Sequence, residues 1–274
     1  MNNLRISTTK VIALSYCLLA PAMFSCKKNV IEIIGKTQSF KITSAIVKED
    51  YEIFVFLPPV YNSNTPQNRL TIGLDADFNF KVIANLISEK SQNGTITPCI
   101  YVGIGNSKNK NRDYTPTAFK HGTGGAQNFY KFITNELIRE LEFRYKVDTT
   151  NTKTLLGHSF GVVFTQFAMF QNRESNPFNK FISVECSYWF GSGLIFEYEQ
   201  KYADTHTNLP VKFFDGMGTL EGGASLASFE EMNERLKNRA YAGFQSEATL
   251  IKKHGHTGSA ILGFKKGLDY VFTN

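Results

Sequence analysis

KTLLGHSFGVVF, residues Lys153 to Phe164, sets a serine between two glycines with apolar runs on either side. Thr154 to Leu156 reads as a strand. GVVFTQFAMFQN reads as a helix that is apolar nearly all round and therefore buried. Between them, Gly157-His158-Ser159-Phe160-Gly161 fits G-x-S-x-G. In a nucleophile elbow the serine occupies a strained conformation on a sharp strand-to-helix turn. Side chains at the two glycines would collide with neighbouring backbone. The plain alternative is a tight turn that happens to contain serine. The choice rests on whether the remaining sequence supplies an acid, a base and donors for an oxyanion in workable order.

Working outward, YEIFVFLPP, RLTIGLDAD, TPCIYVGIG, KFISVEC, PVKFFDGMG and SEATLIKKHGH are short apolar runs bounded by turn residues, the pattern of strands. Phe80, Ile83, Ala84 and Ile87 recur at helical spacing, as do Phe129, Phe132, Ile133, Leu137 and Leu141. Ser228-Phe229-Glu230-Glu231 has the form of a capping box opening a helix to about Ala240, and TGSAILGFKKGLDYVF closes the chain as a helix. Strands alternating with helices, each strand a continuous apolar run, predict a mostly parallel sheet with helices on both faces. The first strands pair antiparallel at one edge. Sites in such sheets lie beyond the carboxyl ends of the strands, which brings Asp75 to Asp77, Ser159, Cys186 to Trp189, Glu221 and His256 to one rim.

A chain of 274 residues with 42% apolar content is long enough for one large core, and no repeat or linker divides it. The N-terminus carries Arg5 and Lys10 ahead of an apolar run, Val11 to Phe24. That run is too short to span a bilayer and suits a signal peptide, so residues 1–25 are expected to be removed on export. Ser25-Cys26 resembles a lipoprotein cleavage site with Cys26 acylated. Met23 and Phe24 depart from that pattern, which leaves cleavage without a lipid as the alternative. The expected place is the periplasm or cell surface, with membrane contact only through that anchor. Residues 26–40 then read as a linker and 41–274 as the folded domain. Loss of the leader brings the formal charge from +6 to +4. The basic residues are scattered and no nucleic-acid motif appears; the densest run, Lys108 to Arg112, reads as a solvated loop rather than a patch for an anionic ligand. Cys99 opens one strand and Cys186 closes another, so in a parallel sheet they stand about 17–20 Å apart. That is beyond disulfide reach of about 7 Å.

Ser159 needs a base, and there are five histidines. His121 and His206 lie in polar loop sequence, and His158 is inside the turn and should point away. His254 and His256 follow the last strand; His256, at the loop-to-helix junction, is preferred, with His254 the alternative. The acid should leave PVKFFDGMG: Glu221 is preferred and Asp215, in or at the end of the strand, is the alternative. Oxyanion donors are the N–H of Phe160 and one after RLTIGLDAD, at Asp77 or Ala76. His254-Gly255-His256 lacks an adjoining carboxylate or cysteine, so no metal is expected. No organic cofactor is needed either.

These landmarks resemble the putative esterase family of α/β-hydrolases, which includes esterase D-type enzymes and siderophore esterases. FVFLPPVY, LTIGLDADFNF, CIYVGIGNSKNKNRDYTP, LLGHSFGVVF, SVECSYWF, FFDGMGTLEGG and HGHTGSA occur in family order. The resemblance implies an α/β-hydrolase fold, Ser159 as nucleophile, His256 as base and an acid at Glu221, although some siderophore esterases work with a Ser–His pair. Val162 stands where many relatives have glycine, Glu185-Cys186 replaces a Ser-Pro pair, and Trp189-Phe190 replaces a double tryptophan. Arg112 and Asp113 either shape the substrate pocket or brace their loop, and Tyr188 and Trp189 either wall it or pack. The expected function is hydrolysis of small-molecule carboxylic esters through an acyl-enzyme, of siderophore or aromatic-acyl type. Acetyl or feruloyl esters of carbohydrate, and a non-catalytic surface-anchored binding protein, are the alternatives.

Overall fold

The computed structural model describes residues 33–64, 69–120, 122–148 and 153–273. The expected signal peptide and the acylation site Cys26 lie outside the described residues. Ten strands and eight α-helices are described: β1 (Lys36–Thr43), β2 (Asp50–Leu57), β3 (Arg69–Gly73), α1 (Ala76–Gln92), β4 (Cys99–Ile104), α2 (Lys110–Tyr114), β5 (Ala118–Phe119), β6 (Gly122–Thr123), α3 (Ala126–Lys131), α4 (Ile138–Tyr145), β7 (Lys153–His158), α5 (Phe160–Met169), β8 (Phe178–Val184), α6 (Leu194–Ala203), β9 (Lys212–Gly218), α7 (Gly223–Arg239), β10 (Gln245–Ile251) and α8 (Ala260–Phe272). A π-helical turn, Phe132–Leu137, joins α3 to α4.

Eight strands form one sheet in the order β1-β2-β4-β3-β7-β8-β9-β10. β1 pairs antiparallel with β2 and β2 with β4; every other pairing in that sheet is parallel. This is the expected mostly parallel α/β-hydrolase sheet with its antiparallel N-terminal edge. β1 begins at Lys36, inside the stretch read as a linker from 26 to 40.

Successive residues of a strand face opposite sides, and here each side meets helices. Leu155, Phe181 and Phe213 enter a core with α3, α4, α5, α6 and α7. Their neighbours Leu156, Ile182 and Phe214 enter a second core with α1 and α8, through Phe80, Ile83, Phe264 and Leu268. That double-sided burial is why the strands read as unbroken apolar runs. Every residue of α5 from Gly161 to Met169 is buried, as its composition requires.

α7 and α6 also differ from expectation. α7 begins at Gly223, so Ser228 lies within the helix and caps nothing; the extended backbone of Gly222 (φ −61°, ψ 150°) starts it instead. α6 was not anticipated. Cys99 and Cys186 are both free, buried thiols, and burial pushes the Cys99 thiol up to about 11.

Candidate active site

The turn between β7 and α5 has the strain that a nucleophile elbow requires. Ser159 has φ 57° and ψ −119°, a region that costs a non-glycine residue free energy. Its N–H donates to the Val184 carbonyl at 3.0 Å, tying the turn to β8. A β-carbon on Gly157 would lie 2.5 Å from the carbonyl oxygen of Gly161, closer than atoms can approach. At Gly161 the crowding is milder and comes from a side chain, Asp75 Oδ2 at 3.3 Å, rather than from backbone.

Ser159 opens onto a cavity of about 500 Å³ shared with His158, Phe160 and His256. Phe78, Val82, Ile261 and Phe264, from the first two turns of α1 and α8, make most of it apolar. On its polar side Lys110 Nζ lies 3.0 Å from Asp75 Oδ1. Lys110 belongs to the basic run read as a solvated loop; its ammonium reaches the cleft instead. Asp75 is left-handed (φ 54°), and its carbonyl accepts from the N–H groups of Phe78 and Asn79. Asp77, the expected donor residue, occupies the first turn of α1, and its carboxylate accepts from the Asn106 N–H at 2.5 Å. Phe160, the other expected donor residue, is the first residue of α5.

His256 Nδ1 faces two carboxylates, Glu185 Oε2 at 3.7 Å and Glu221 Oε2 at 3.8 Å. The second is the expected acid. The first was missed, because Glu185 registers in the sequence only as a departure from Ser-Pro at the end of β8. Its side chain is fully buried, and burial pushes its carboxyl above the usual carboxylate range. The alternative base His254 turns its Nδ1 to the Lys252 carbonyl at 2.7 Å. The alternative acid Asp215 is buried in β9, accepting from Tyr188 Oη at 2.6 Å and Asn233 Nδ2 at 2.8 Å. Burial raises its carboxyl to about 7. It serves the core and is not among the carboxylates facing His256.

His158 does not point away. It lines the cleft, and its Nε2 lies 3.1 Å from the His256 carbonyl oxygen, with the two rings 4.9 Å apart. Burial lowers its pKa and so favours the neutral ring. With Nε2 carrying the proton, it donates to that carbonyl.

The four expected substrate residues divide. Arg112 and Asp113 brace a loop: the guanidinium donates to Asp113 Oδ1 at 2.7 and 2.8 Å. Asp113 Oδ2 accepts from Tyr51 Oη and Ser107 Oγ. Tyr188 is buried, its hydroxyl accepting from Gln166 Nε2 at 2.8 Å while donating to Asp215. Trp189 is half exposed and meets Phe160 edge-on at 5.5 Å. With Phe196, Gln200 and Arg235 it lines a groove of about 900 Å³.

Residues 44–181, which include the elbow, match the sequence profile of the putative esterase family. Among curated proteins, none matches the chain. An IroE-like serine hydrolase from Shewanella oneidensis is 25% identical with a TM-score of 0.78, covering 86% of this chain and 80% of that one. The BES protein from Bacillus cereus superposes with a TM-score of 0.78 at 22% identity over 89% of this chain and 98% of that one. The siderophore hydrolase EstA from Aspergillus nidulans gives 0.72 at 15% identity over 85% and 92%. At those last two identities the likeness is one of fold. With the family profile spanning half its length around an elbow set on this sheet, the chain belongs to the putative esterase family and is a carboxylic ester hydrolase on the α/β-hydrolase fold.

Proposed function

We propose that the chain hydrolyses its ester by a serine mechanism with Ser159 as nucleophile and His256 as base. The observation that carries this reading is that the strained serine and His256 line one cavity and that His256 Nδ1 faces two carboxylates. His256 Nε2 takes the hydroxyl proton as Ser159 Oγ attacks the ester carbonyl, and returns it to the departing alcohol. The acyl-enzyme is then cleaved by water activated by the same nitrogen. Negative charge on the carbonyl oxygen is met by the N–H of Phe160 and by one from the first turn of α1, at Ala76 or Asp77. The carboxylates facing His256 Nδ1 stabilise the imidazolium formed in each half-reaction.

The substrate is a small aromatic-acyl ester, of the kind a siderophore hydrolase cleaves. Support comes from the apolar walls at Phe78, Phe160, Ile261 and Phe264, and from relatives described as siderophore hydrolases. The protein is exported by residues 1–25 and held at a membrane surface through Cys26. No helix among the described residues is long and apolar enough to cross a membrane. Covalent labelling by a fluorophosphonate tests the nucleophile: the wild type is labelled at Ser159 and Ser159→Ala is not. Equal labelling of the two, or none of either, rejects the serine mechanism.

A further inference from the structure

Two carboxylates stand almost equidistant from His256 Nδ1, but that nitrogen carries one proton and can donate to only one of them at a time. Their surroundings differ. Glu221 is part-exposed, so its side chain keeps rotamer freedom and its charge is screened by water. Glu185 is held on every side. Its N–H donates to the Gly216 carbonyl at 2.8 Å, and the preceding carbonyl, Val184, accepts from Ser159 N–H. Its own backbone is left-handed at φ 61°. Oε1 accepts from Gly218 N–H at 2.6 Å and from the Ser259 hydroxyl. Oε2 is buried without a hydrogen-bond partner and lies on the His256 side. Gly218 admits the arrangement, since a β-carbon there would lie 2.3 Å from the His254 carbonyl.

We propose that Glu185 is the positioning residue for His256: its anchored Oε1 aims Oε2 at Nδ1, holding the proton on that nitrogen and leaving Nε2 free to receive the proton of Ser159. A buried carboxylate oxygen with no partner is unfavourable; an imidazolium formed beside it in the reaction supplies the partner. The displacement that turns 3.7 Å into a hydrogen bond is under about 1 Å, within what catalytic contacts tighten on binding substrate. The charged and titratable groups around the ring are Glu185 after β8, Glu221 after β9, His158 at the end of β7, and Asp75 with Lys110 across the cleft. Only Glu185 is both fully buried and anchored through one oxygen with the other aimed at Nδ1. The assignment rests on the reading of His256 as the base.

Glu185→Gln separates the two carboxylates. Gly218 N–H and Ser259 Oγ hold the amide oxygen where Oε1 was, so the amide NH₂ faces Nδ1 and donates to it. The ring proton is driven to Nε2, where it blocks proton uptake. The experiment is ¹⁵N NMR of the full chain labelled in histidine, at a pH where the rings are neutral, with His256→Asn identifying the resonances. Wild type and Glu221→Gln are expected to carry the proton on Nδ1, and Glu185→Gln on Nε2. In parallel, kcat falls about 10³-fold in Glu185→Gln with KM little changed, and under about 10-fold in Glu221→Gln. An unaltered tautomer in Glu185→Gln, or a larger kcat loss in Glu221→Gln, overturns the assignment. Should Glu185→Gln fail to fold, Ser259→Ala removes one anchor and keeps the carboxylate. A kcat loss of about 10-fold at constant KM is expected there, and an unchanged kcat contradicts the assignment. The tautomer is read without turnover, so absent hydrolysis in the wild type rejects the serine mechanism without deciding this point.

Discussion

His158 Nε2 lies 3.1 Å from the backbone carbonyl of His256, so the residue before Ser159 grips the loop that carries His256. The elbow and the β10–α8 loop are 98 residues apart in sequence, and this contact sets their spacing directly. Misplacement of a catalytic group by about 1 Å costs roughly 10²-fold in rate. His158→Leu is therefore expected to lower kcat about 10- to 100-fold with KM and fluorophosphonate accessibility little changed. Steady-state kinetics on a soluble ester check it; an unchanged kcat removes His158 from this role.

The two elbow glycines should respond unequally. Gly157→Ala drives a β-carbon to 2.5 Å from the Gly161 carbonyl, backbone against backbone, whereas Gly161→Ala meets only Asp75 Oδ2 at 3.3 Å. The first is expected to cost about 3 kcal/mol or more and the second about 1 kcal/mol. Denaturant titration of both variants checks the order, and equal losses contradict it.

Asp215 gives a pH signature of stability. Its folded-state carboxyl is raised to about 7 by burial, from an ordinary value of 3.8. Stability from the neutral form is complete below the unfolded value and is lost as pH rises toward 7. Across that window the unfolded chain releases a proton that the folded chain retains. Asp215→Asn keeps an acceptor for Tyr188 and does not ionise. Relative to the wild type it should gain stability as pH climbs from about 4 to 7, by up to about 4 kcal/mol. Unfolding curves at several pH values test this. Retained ester hydrolysis in the same variant separates Asp215 from the acids facing His256.

Trp189 lines the groove with Phe196 and Arg235 and packs edge-on against Phe160, which lines the Ser159 cleft. Trp189→Ala should raise KM several-fold for bulky aromatic esters and leave acetyl esters nearly unaffected, since only a long substrate reaches past Phe160. A uniform change across both ester classes contradicts this division.

The fold was legible wherever a local pattern matched its neighbours in space. Leu155 and Leu156, or Phe213 and Phe214, read as buried on both faces because each face carries helices. Gly157 and Gly161 read as an elbow because the strand and helix flanking them are themselves apolar. Ser228 misled because its capping pattern is local, while Gly222 and the Ala- and Leu-containing turn after it let α7 start earlier. Glu185 was illegible for the opposite reason. Its partners Gly218, Ser259 and His256 come from β9 and from the segment between β10 and α8. Nothing next to it in sequence announces that these converge. Arg112 and Asp113 left pocket and loop brace equally open in the sequence, and the structure shows the brace: their charges satisfy each other along with Glu49, Tyr51 and Ser107.

The most direct test of the central claim compares hydrolysis of a short-chain nitrophenyl ester by the wild type and by Ser159→Ala, with matched circular dichroism to show that both are folded. The account predicts turnover by the wild type and a rate indistinguishable from solvent for the variant. A Ser159→Ala protein that hydrolyses the ester as fast as the wild type would contradict it.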